Sequence, residues 1–548
     1  MQTHSLRTLL ATTAIFCACQ SAFAGHDNSA AASACASLDT LSVPAEAIGL
    51  PTGGASITSA QWMRADAKSN DDGEFCKVLG AIHPVDRSAP DINFEVNLPT
   101  NWNHKALQLG GFGLDGMIVS GLHGYMGASR DLPTPLTQGY VTYGSDSGHQ
   151  SKGPGLGDAS WAANSEAFHN FGGDQIKKTH DVAIALMQKR YGARPAHSYF
   201  LGGSQGGHEG FIAVQRFPQD YDGVVSQFPA YDPAMIHLGA NALSKAIYAN
   251  SGAGWISPAK TKTLVNAVYQ ACDALDGVKD GIISNVAACE KAFTIDTLKS
   301  TLRCPGGVDT GNSCLSDAQI TTVRKLNSPF KLNFALADGQ TTYPRWPILE
   351  GATFDFNNFG RSATPSHPPR FGDAFQYQIS DTTVRYIFTG DLKLDSIDTF
   401  TPDAYQSQIV AASTVLNTSS ADISAFKARG GKLLMMHGTV DDSITPYNTI
   451  NYYDRLVTQF GQHSLDEFVR FYLVPGMGHG SGVFSLQWDP LGALDAWVTE
   501  SKAPETLIGT DGNRGANRSR PLCVYPAWPR YNGTGDVNAA SSFNCTKS

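Results

Sequence analysis

Residues 199–208 read Tyr-Phe-Leu-Gly-Gly-Ser-Gln-Gly-Gly-His, an apolar run that breaks into glycines around a single serine. The spacing Gly202-x-Ser204-x-Gly206 is typical of a nucleophile elbow, a sharp turn from a strand into a helix. Such a turn strains the backbone at the nucleophile and leaves little room for side chains two residues to either side. With 55 glycines in the chain, a glycine loop around a serine also arises by chance, so the neighbouring sequence must decide.

Strand and helix patterns alternate around this turn. Helical spacing covers 174–191 and 207–216, and apolar strand patterns cover 105–109, 140–144 and 223–228. This order predicts an α/β fold in which helices cover both faces of a parallel sheet. Residues 92–98 alternate apolar and polar side chains, which predicts an antiparallel strand at the edge of that sheet.

The α/β pattern stops near Tyr231 and resumes at 431–438, where another apolar strand begins. Helical patterns lie between these points at 258–272 and 316–326, followed by an aromatic- and proline-rich stretch. After the break come a helix at 447–459, a strand at 468–475 and a helix at 490–499. We therefore predict a signal peptide at 1–24, a core in two parts at 25–234 and 406–548, and an inserted lid at 235–405.

Composition indicates a folded protein of 548 residues, with 42% hydrophobic and 16% charged residues. The formal net charge of -9 and the pI near 5.9 argue against a nucleic-acid partner, because no basic cluster is available to neutralise phosphates. The length exceeds that of a single ordinary core, which favours either two domains or one domain with a large insertion. The sequence does not indicate an oligomeric state.

The first 24 residues have the pattern of a secretory signal, with cleavage predicted before Gly25. A basic residue, Arg7, precedes an apolar stretch, and the small-residue ending is Ala22-Phe23-Ala24. The apolar stretch is too short to span a bilayer, and no later window approaches 20 apolar residues. Cys17 and Cys19 lack a convincing lipoprotein motif, so we predict export to the periplasm or medium and no membrane span.

Eight cysteines remain after the signal, an even number that favours disulfides in an exported chain. No CxxC pair supports a zinc site. Eight cysteines allow many pairings, and grouping of sequence neighbours favours four local bridges: Cys35 with Cys76, Cys272 with Cys289, Cys304 with Cys314, and Cys523 with Cys545.

A serine nucleophile requires a histidine to take its proton and a carboxylate to orient that histidine. In an α/β-hydrolase these partners follow the serine in the order Asp, His, each in a loop after a late strand. Asp441 and His479 occupy such loops, after the strands at 431–438 and 468–475. Alternatives with weaker support are Asp442 as the acid and His437 or His208 as the base.

The same chemistry requires two backbone N–H donors for the oxyanion. Gln205 supplies one because it follows the nucleophile, and the glycine loop at 110–116 should supply the other. Gly113 and Gly111 are the candidates in that loop. The alternative is that the loop is only a tight turn without a role in catalysis.

A loop at 272–282 places three aspartates within eight residues, separated by glycines. Hard oxygen ligands on a tight loop suit calcium, with backbone carbonyls completing the shell. We predict Ca²⁺ bound by Asp273, Asp276 and Asp280 with the carbonyls of Val278 and Ile282; the alternative is a solvated double turn. The spacing is not that of an EF-hand.

These motifs together resemble the tannase and feruloyl esterase family, which includes mono(2-hydroxyethyl) terephthalate hydrolase. The resemblance rests on the elbow, 437–441, 475–479, the loop at 273–282 and the tail motifs at 520–526 and 530–536, and it spans nearly the whole mature chain. It implies an α/β-hydrolase with an inserted lid, a structural calcium and the four local disulfides. It also assigns the catalytic roles to Ser204, Asp441 and His479 and the calcium roles to the loop residues named above.

One departure from the family concerns the catalytic loops. Members usually carry a cysteine before the serine and another after the histidine, bridged to each other. Here these positions are Gly203 and Gly480. We therefore expect a triad held together by packing alone.

The resulting expectation is an exported serine esterase that hydrolyses small esters of aromatic acids through an acyl-enzyme. Gallate, hydroxycinnamate and terephthalate esters all fit the family, and a peptidase or a non-catalytic calcium-stabilised binding protein are the alternatives. Aromatic lid residues could form a substrate slot or simply the lid's core: Tyr343, Trp346, Phe354, Phe356, Phe371 and Phe375. Three arginines are candidate anchors for a substrate carboxylate or phenol: Arg345, Arg361 and Arg370.

Overall fold

A computed structural model of the chain describes residues 23–66, 70–151, 157–354 and 357–547. The strands are β1 (Ser42–Val43), β2 (Ala55–Met63), β3 (Phe75–Ile82), β4 (Ile92–Pro99), β5 (Lys105–Leu109), β6 (Val141–Ser145), β7 (His197–Gly203), β8 (Gly223–Gln227), β9 (Phe330–Lys331), β10 (Thr342–Tyr343), β11 (Lys432–Gly438), β12 (Val469–Val474), β13 (Leu486–Gln487), β14 (Leu507–Asp511), β15 (Ser519–Leu522), β16 (Trp528–Tyr531) and β17 (Phe543–Thr546).

The α-helices are α1 (Phe23–Ala36), α2 (Ser165–His169), α3 (Gln175–Tyr191), α4 (Gln205–Arg216), α5 (Pro233–Gly252), α6 (Pro258–Cys272), α7 (Val286–Ala292), α8 (Ile295–Leu302), α9 (Asp317–Leu326), α10 (Phe375–Thr382), α11 (Gln406–Leu416), α12 (Ser424–Ala428), α13 (Pro446–Phe460), α14 (Gln462–Leu465) and α15 (Pro490–Glu500). Their ends follow local sequence rules. Ser316 and Gln319 form a capping box at the start of α9, and α3 ends at Gly192 with a left-handed φ of 72°.

The main sheet has ten strands in the order β1-β2-β3-β4-β6-β5-β7-β8-β11-β12. The six strands from β6 to β12 in this order are parallel, and β1 to β4 extend the sheet by antiparallel pairing. Parallel strands end at the same edge, so the loops after β5, β7, β11 and β12 meet there. The predicted α/β fold with a parallel sheet is confirmed.

One strand prediction was wrong in its position. β4 lies inside the sheet between β3 and β6, whereas its alternating sequence predicted an edge. The polar face of β4 is buried because its polar groups find partners: Glu95 lies 3.0 Å from Lys77 Nζ, and Asn97 Nδ2 donates to Glu95 Oε1 at 2.9 Å. The alternation of polar and apolar residues in β4 therefore reflects a buried face of hydrogen-bonded polar groups, and not a face exposed to solvent.

The lid has its own apolar core, distinct from those of the sheet. Helices α5 to α10 and the intervening loops surround a buried cluster that includes Leu264, Val323 and Tyr377. The cluster continues past the predicted boundary at 405, because Ile409 and Ala412 of α11 belong to it. Only the short pair β9 and β10 supplies sheet structure among the lid residues that the structure describes.

Four disulfides join Cys35–Cys76, Cys272–Cys289, Cys304–Cys314 and Cys523–Cys545, the pairing favoured by sequence proximity. Two of them lie in the lid, one ties α1 to β3, and one closes the tail. Among the described residues, no helix is long and apolar enough to cross a membrane. The predicted signal falls almost entirely on residues 1–22, outside the described part of the chain.

Candidate active site

Ser204 lies at the turn between β7 and α4 with φ 59° and ψ -118°, a strained conformation for a residue other than glycine. The turn is tight because its flanking glycines touch backbone. A Cβ at Gly202 would lie 2.4 Å from the carbonyl carbon of Gly206, and one at Gly206 would lie 2.8 Å from the Gly111 oxygen. The geometry is that of a nucleophile elbow, with Ser204 raised toward the edge where the strands end.

Hydrogen-bond contacts join Ser204 to His479 and His479 to Asp441. The Oγ of Ser204 lies 2.8 Å from Nε2 of His479, and Nδ1 of His479 lies 2.8 Å from Oδ2 of Asp441. Asp441 follows β11 and His479 follows β12, which are adjacent parallel strands. The loops predicted to carry acid and base therefore converge on the elbow.

Asp441 is fully buried and ionised. Burial opposes its charge, but His479 and His437 outweigh that cost through charge and hydrogen bonds and hold the pKa of Asp441 well below its usual range. The second carboxylate oxygen accepts backbone N–H bonds from Ser443 and Ile444, each at 2.9 Å. These bonds fix the carboxylate plane and leave Oδ2 directed at the two imidazoles.

His437, a rival base in the sequence, supports the acid instead. Its Nε2 lies 3.2 Å from Asp441 Oδ2 and 3.0 Å from the Ile444 carbonyl, both acceptors, so Nε2 carries the proton. Its Nδ1 lies 2.8 Å from Oγ1 of Thr449 and accepts from that hydroxyl. The sequence analysis considered His437 only as an alternative base and did not predict its contact with Asp441, four residues later.

The other two rivals, His208 and Asp442, contact other parts of the structure. His208 is buried, with Nε2 2.8 Å from the Leu416 carbonyl, and burial lowers its pKa to about 3. The carbonyl of Asp442 accepts a hydrogen bond from Gln376 Nε2 at 3.1 Å, so this residue contacts the lid. The 2.8 Å contacts at the elbow join Ser204 to His479 and His479 to Asp441.

The two glycines predicted as oxyanion donors, Gly111 and Gly113, differ in whether the N–H is free to bind the oxyanion. The Gly111 N–H donates to Oε2 of Glu209 at 2.9 Å, and its carbonyl accepts from the Gly206 N–H at 2.9 Å. Gly111 therefore holds the loop onto α4 and its N–H is already occupied, which corrects that choice. Gly113 has a φ of 63° and lines the cavity with Ser204 and Gln205.

Sequence reasoning missed the carboxyl pair beneath this loop. Asp115 and Glu209 are buried and hydrogen-bonded to each other, and Gln175 Nε2 donates to Glu209 Oε1 at 2.9 Å. Burial and then the neighbouring Asp115 charge raise the pKa of Glu209 well above its usual range, so the pair retains a proton. No sequence signal marks the pair, because its members lie 94 positions apart and meet only in the fold.

A cavity of about 300 Å³ opens above Ser204 between the core and the lid. The lid side is mainly apolar, with Ile236, Phe375 and Ile379 from α5 and the α10 region, and His237 of α5 also lines it. Of the predicted aromatic slot, Phe375 alone lines this cavity among the described residues. Tyr343, Trp346 and Phe354 are buried in the lid's core, Phe371 is 89% exposed, and Phe356 lies outside the described residues.

The three candidate arginines do not line the cavity. Arg345 is held inside the lid by Glu290, Glu350 and the hydroxyl of Tyr447. The Arg361 guanidinium lies 5.3 Å from the Phe371 ring centroid, and the Arg370 N–H donates to Asp373. A lid ion pair and a surface ring contact thus account for the Arg345 and Arg361 side chains, while the bond of Arg370 is made by its backbone.

Gly203 and Gly480 face a common pair of side chains. A Cβ at Gly203 would lie 2.8 Å from Cζ of Phe228 and 3.3 Å from Sδ of Met126, and one at Gly480 would lie 3.8 Å and 3.4 Å from the same atoms. The Phe228 ring also meets the His479 ring edge-on, with centroids 4.9 Å apart. Phe228 and Met126 therefore fill the space between the serine and histidine loops.

The predicted calcium loop follows α6 and contacts the tail. Asp273 Oδ1 accepts from the Gly281 N–H, and Asp276 accepts from Ser284 N–H, each at 3.0 Å. Asp280 pairs with Arg520 of β15. Burial raises the pKa of Asp276 to about 6, which indicates a carboxylate short of positive charge. The loop thus contributes three carboxylates, of which that of Asp280 is paired with Arg520.

Comparison with known proteins agrees with this geometry. The sequence matches the family described as tannase and feruloyl esterase over residues 76–546. The chain belongs to the tannase and feruloyl esterase family. It is 40% identical to an uncharacterized esterase of Agrobacterium fabrum, across 96% of this chain and 95% of that protein.

Other members of the tannase and feruloyl esterase family extend the likeness. Mono(2-hydroxyethyl) terephthalate hydrolase of Piscinibacter sakaiensis is 30% identical, across 86% of this chain and 85% of that protein. The crystal structure of feruloyl esterase B from Aspergillus oryzae superimposes with a TM-score of 0.74 at 24% identity, covering 94% and 100% of the two chains. The chain is thus a carboxylic ester hydrolase of the feruloyl esterase and tannase type on an α/β-hydrolase core with an inserted lid.

Proposed function

We propose that this esterase is an exported serine hydrolase that cleaves esters of aromatic, phenolic acids through an acyl-enzyme. The observation that carries the proposal is the uninterrupted relay from Ser204 through His479 to Asp441, with both links at 2.8 Å. The relay opens into an apolar cavity under the lid, which suits an aromatic acyl group.

In the first half-reaction Ser204 Oγ attacks the ester carbonyl while His479 Nε2 takes its proton. Asp441 keeps Nδ1 protonated and stabilises the imidazolium that forms. When the tetrahedral intermediate collapses, the carbon–oxygen bond of the ester breaks and His479 returns the proton to the departing alcohol oxygen. The acyl group remains on Ser204.

The oxyanion of that intermediate is stabilised by the N–H groups of Gln205 and Gly113. Gln205 begins α4, so its N–H also carries the partial positive charge of a helix start. In the second half-reaction a water molecule, deprotonated by His479, attacks the acyl-enzyme. The same donors stabilise the second intermediate, and its collapse releases the acid and regenerates Ser204.

The cavity favours a monocarboxylic aromatic acid over a terephthalate monoester. A terephthalate monoester has a second, ionised carboxylate that requires a cation or several donors when buried. Among the described residues that line the cavity there is no lysine or arginine. His237 lines it, but burial lowers the pKa of His237 to about 4, so its ring is neutral.

A fluorophosphonate probe tests the serine mechanism directly. We expect wild-type protein to gain one label at Ser204, detected by mass spectrometry of its peptides, and Ser204→Ala to gain none. Equal labelling of both proteins, or failure to label the wild type, would rule out Ser204 as the nucleophile and would favour a non-catalytic scaffold.

Substrate class is tested with matched compounds that share one alcohol or amine. We expect kcat/KM to be highest for methyl hydroxycinnamates and methyl gallate, lower for monomethyl terephthalate, and undetectable for the corresponding N-methyl amides. Faster turnover of the terephthalate monoester would reverse the order proposed for the acids. Turnover of the amides would favour a peptidase.

Export is supported by the signal pattern at 1–24 and by four disulfides, which persist in oxidising compartments. Fractionation of producing cells should recover the mature chain, beginning at Gly25, in the periplasm or the medium. A chain that keeps residues 1–24 in the cytoplasm would contradict the proposal.

We also propose that the loop after α6 binds a structural Ca²⁺. Asp273, Asp276 and Asp280 would hold it with the carbonyls of Val278 and Ile282, and the ion would neutralise the carboxylates where the lid meets the tail. Added Ca²⁺ should raise the melting temperature, EGTA should lower it, and Asp276→Asn should abolish both responses. If EGTA leaves the melting temperature of the wild type unchanged, the proposed Ca²⁺ site is contradicted, regardless of the esterase activity of the protein.

A further inference from the structure

A second cavity, of about 370 Å³, lies on the other side of the oxyanion loop. The ends of β5 and β7 and the loop from Gly110 to Met126 line it, with no lid residue among its described walls. We call it the core cavity, to separate it from the catalytic cavity above Ser204. The two cavities share Phe112 and Met126 as walls.

The core cavity has an apolar and exposed rim. Phe112 is 52% exposed, Met117 44%, Ile118 38% and Met126 41%. Large apolar side chains exposed together beside a cavity mark a binding surface more often than chance exposure. Thioether and aromatic groups make favourable contacts with aromatic rings, so this rim suits a ring-shaped ligand.

Polar side chains in the walls of the core cavity are already engaged. Ser120 Oγ donates to Glu95 Oε1 at 2.7 Å, and Asp115 bonds Ser147 and Glu209. Their hydrogen bonds point into the protein, so the space offers mainly apolar surface. A polar ligand such as a free sugar would find few partners there.

The position of the core cavity relates it to the departing half of an ester. Gly203 lines the core cavity and Ser204, the next residue, lines the catalytic cavity. An ester bound at Ser204 sends its acyl and alcohol groups in different directions from the carbonyl carbon. The alcohol oxygen must lie near His479, and Met126, which lies close to Gly480, forms the adjoining wall of the core cavity.

We propose that the core cavity is the alcohol-side subsite of this esterase and binds the apolar body of an aromatic alcohol. The acyl ring then lies under the lid, the carbonyl lies at Ser204, and the alcohol ring passes between Phe112 and Met126. After His479 protonates its oxygen, the alcohol leaves through the exposed rim without crossing the lid. This assignment rests on the proposed serine-esterase mechanism.

The test compares two ferulate esters that differ only in the alcohol, methyl and 2-phenylethyl. We expect wild-type kcat/KM to be about tenfold higher for the 2-phenylethyl ester, the effect of burying part of one ring. Ile118→Trp places a larger ring in the rim of the core cavity and should reduce this ratio to near one. Ile508→Trp makes the same change at an exposed tail position outside both cavities and should keep the wild-type ratio.

A second measurement requires no variant. 2-Phenylethanol should inhibit wild-type hydrolysis of methyl ferulate, and ethanol, which lacks the phenyl ring, should not inhibit at the same concentration. The subsite is overturned if the wild type does not prefer the 2-phenylethyl ester and 2-phenylethanol does not inhibit. Failure of the mechanism itself gives a different result, since Ser204→Ala would then still hydrolyse both esters.

Discussion

The catalytic loops and the lid are stabilised in different ways. Two disulfides, Cys272–Cys289 and Cys304–Cys314, close loops within the lid. Between β4 and α5, and again between α12 and α15, the chain has no cysteine at all. In the catalytic region, the loops carrying Ser204 and His479 are joined by hydrogen bonds and by the packing of Phe228 and Met126.

This difference follows from the sheet. Parallel strands with a shared register place the ends of β7, β11 and β12 at one edge, so their loops start from fixed positions. The lid consists of helices joined by long loops, with only two short paired strands among its described residues, and cross-links restrict such a chain where a sheet does not. We infer that chemistry is most sensitive to contacts in the core and stability most sensitive to links in the lid.

The largest expected effect is on the core's chemistry alone. Asp441→Asn should lower kcat by about 10⁴-fold, because a neutral side chain stabilises neither the correct His479 tautomer nor the imidazolium. Asp442→Asn is the matched control on the adjacent residue and should lower kcat less than tenfold. Steady-state kinetics on methyl ferulate measure both, and equal losses would return Asp442 as a candidate acid.

The next effect should fall on stability and spare the chemistry. Replacing Cys272 and Cys289 by serine opens a loop with a sequence separation of 17 and should lower the free energy of unfolding by about 3 kcal/mol. The same change at Cys304 and Cys314, with a separation of 10, should cost about 0.5 kcal/mol less. Denaturant unfolding measures the losses, and kcat at 25 °C should stay within threefold of wild type.

That ranking would be reversed by one result. A large fall in kcat on opening the Cys272–Cys289 bridge, with unfolding unchanged, would mean that the lid link positions the catalytic groups.

Disrupting the packing between the catalytic loops should have a smaller effect, and that effect should fall on kcat. Phe228→Leu removes the ring that meets His479 and should lower kcat about tenfold with little change in KM, because the histidine loses its lateral support. In the wild type, the Phe228 ring obstructs a Cβ at position 203. Phe228→Leu removes this obstruction and should allow a disulfide to form between the cysteines of Gly203→Cys and Gly480→Cys.

Thiol titration under oxidising conditions reads out this bridge. We expect two free thiols when Phe228 is present and none in the Phe228→Leu background, with kcat partly restored. A bridge that forms equally well with Phe228 in place would show that packing does not occupy the position of the family's disulfide.

Much of the core was predictable because strand ends and their loops are local in sequence. Ser204, Asp441 and His479 each follow an apolar strand, and the sheet topology alone brings such loops together. Strands β2 and β3 were not anticipated, since their sequences show no clear alternation. The lid resisted prediction more strongly, because an aromatic-rich stretch does not reveal which side chains face inward: Phe375 reaches the cavity and Tyr343 does not.

Contacts between distant segments account for most of what the sequence concealed. The occupation of the Gly111 N–H by Glu209 depends on how α4 packs against the loop after β5. Met126 and Phe228 lie far from Gly480 in sequence, and neither belongs to a recognisable motif. Side chains that hold catalytic groups in place are therefore less visible in sequence than the catalytic groups themselves.

The smallest predicted effect concerns the buried pair of Asp115 and Glu209. Burial, first of all, raises the pKa of Asp115 to about 6. Below the unfolded pKa near 3.8 both states hold the proton and stability is at its full value; as pH rises through the folded pKa, that stability is lost. Asp115→Asn replaces the titrating partner with a permanent N–H donor to Glu209 and keeps an oxygen for Ser147.

Asp115→Asn should therefore match wild type at pH 4 and exceed its free energy of unfolding by about 1 kcal/mol at pH 8, the size of one hydrogen-bonded contact. Activity should change less than threefold, because the Gly111 N–H keeps its bond to Glu209 and the oxyanion loop stays in place. Ser147→Ala serves as the control with the opposite sign: its hydroxyl donates to Asp115 and lowers the pKa of that carboxyl, so its removal should cost more stability at pH 8 than at pH 4. Parallel stability curves for wild type and Asp115→Asn would mean that the pair does not titrate over this range.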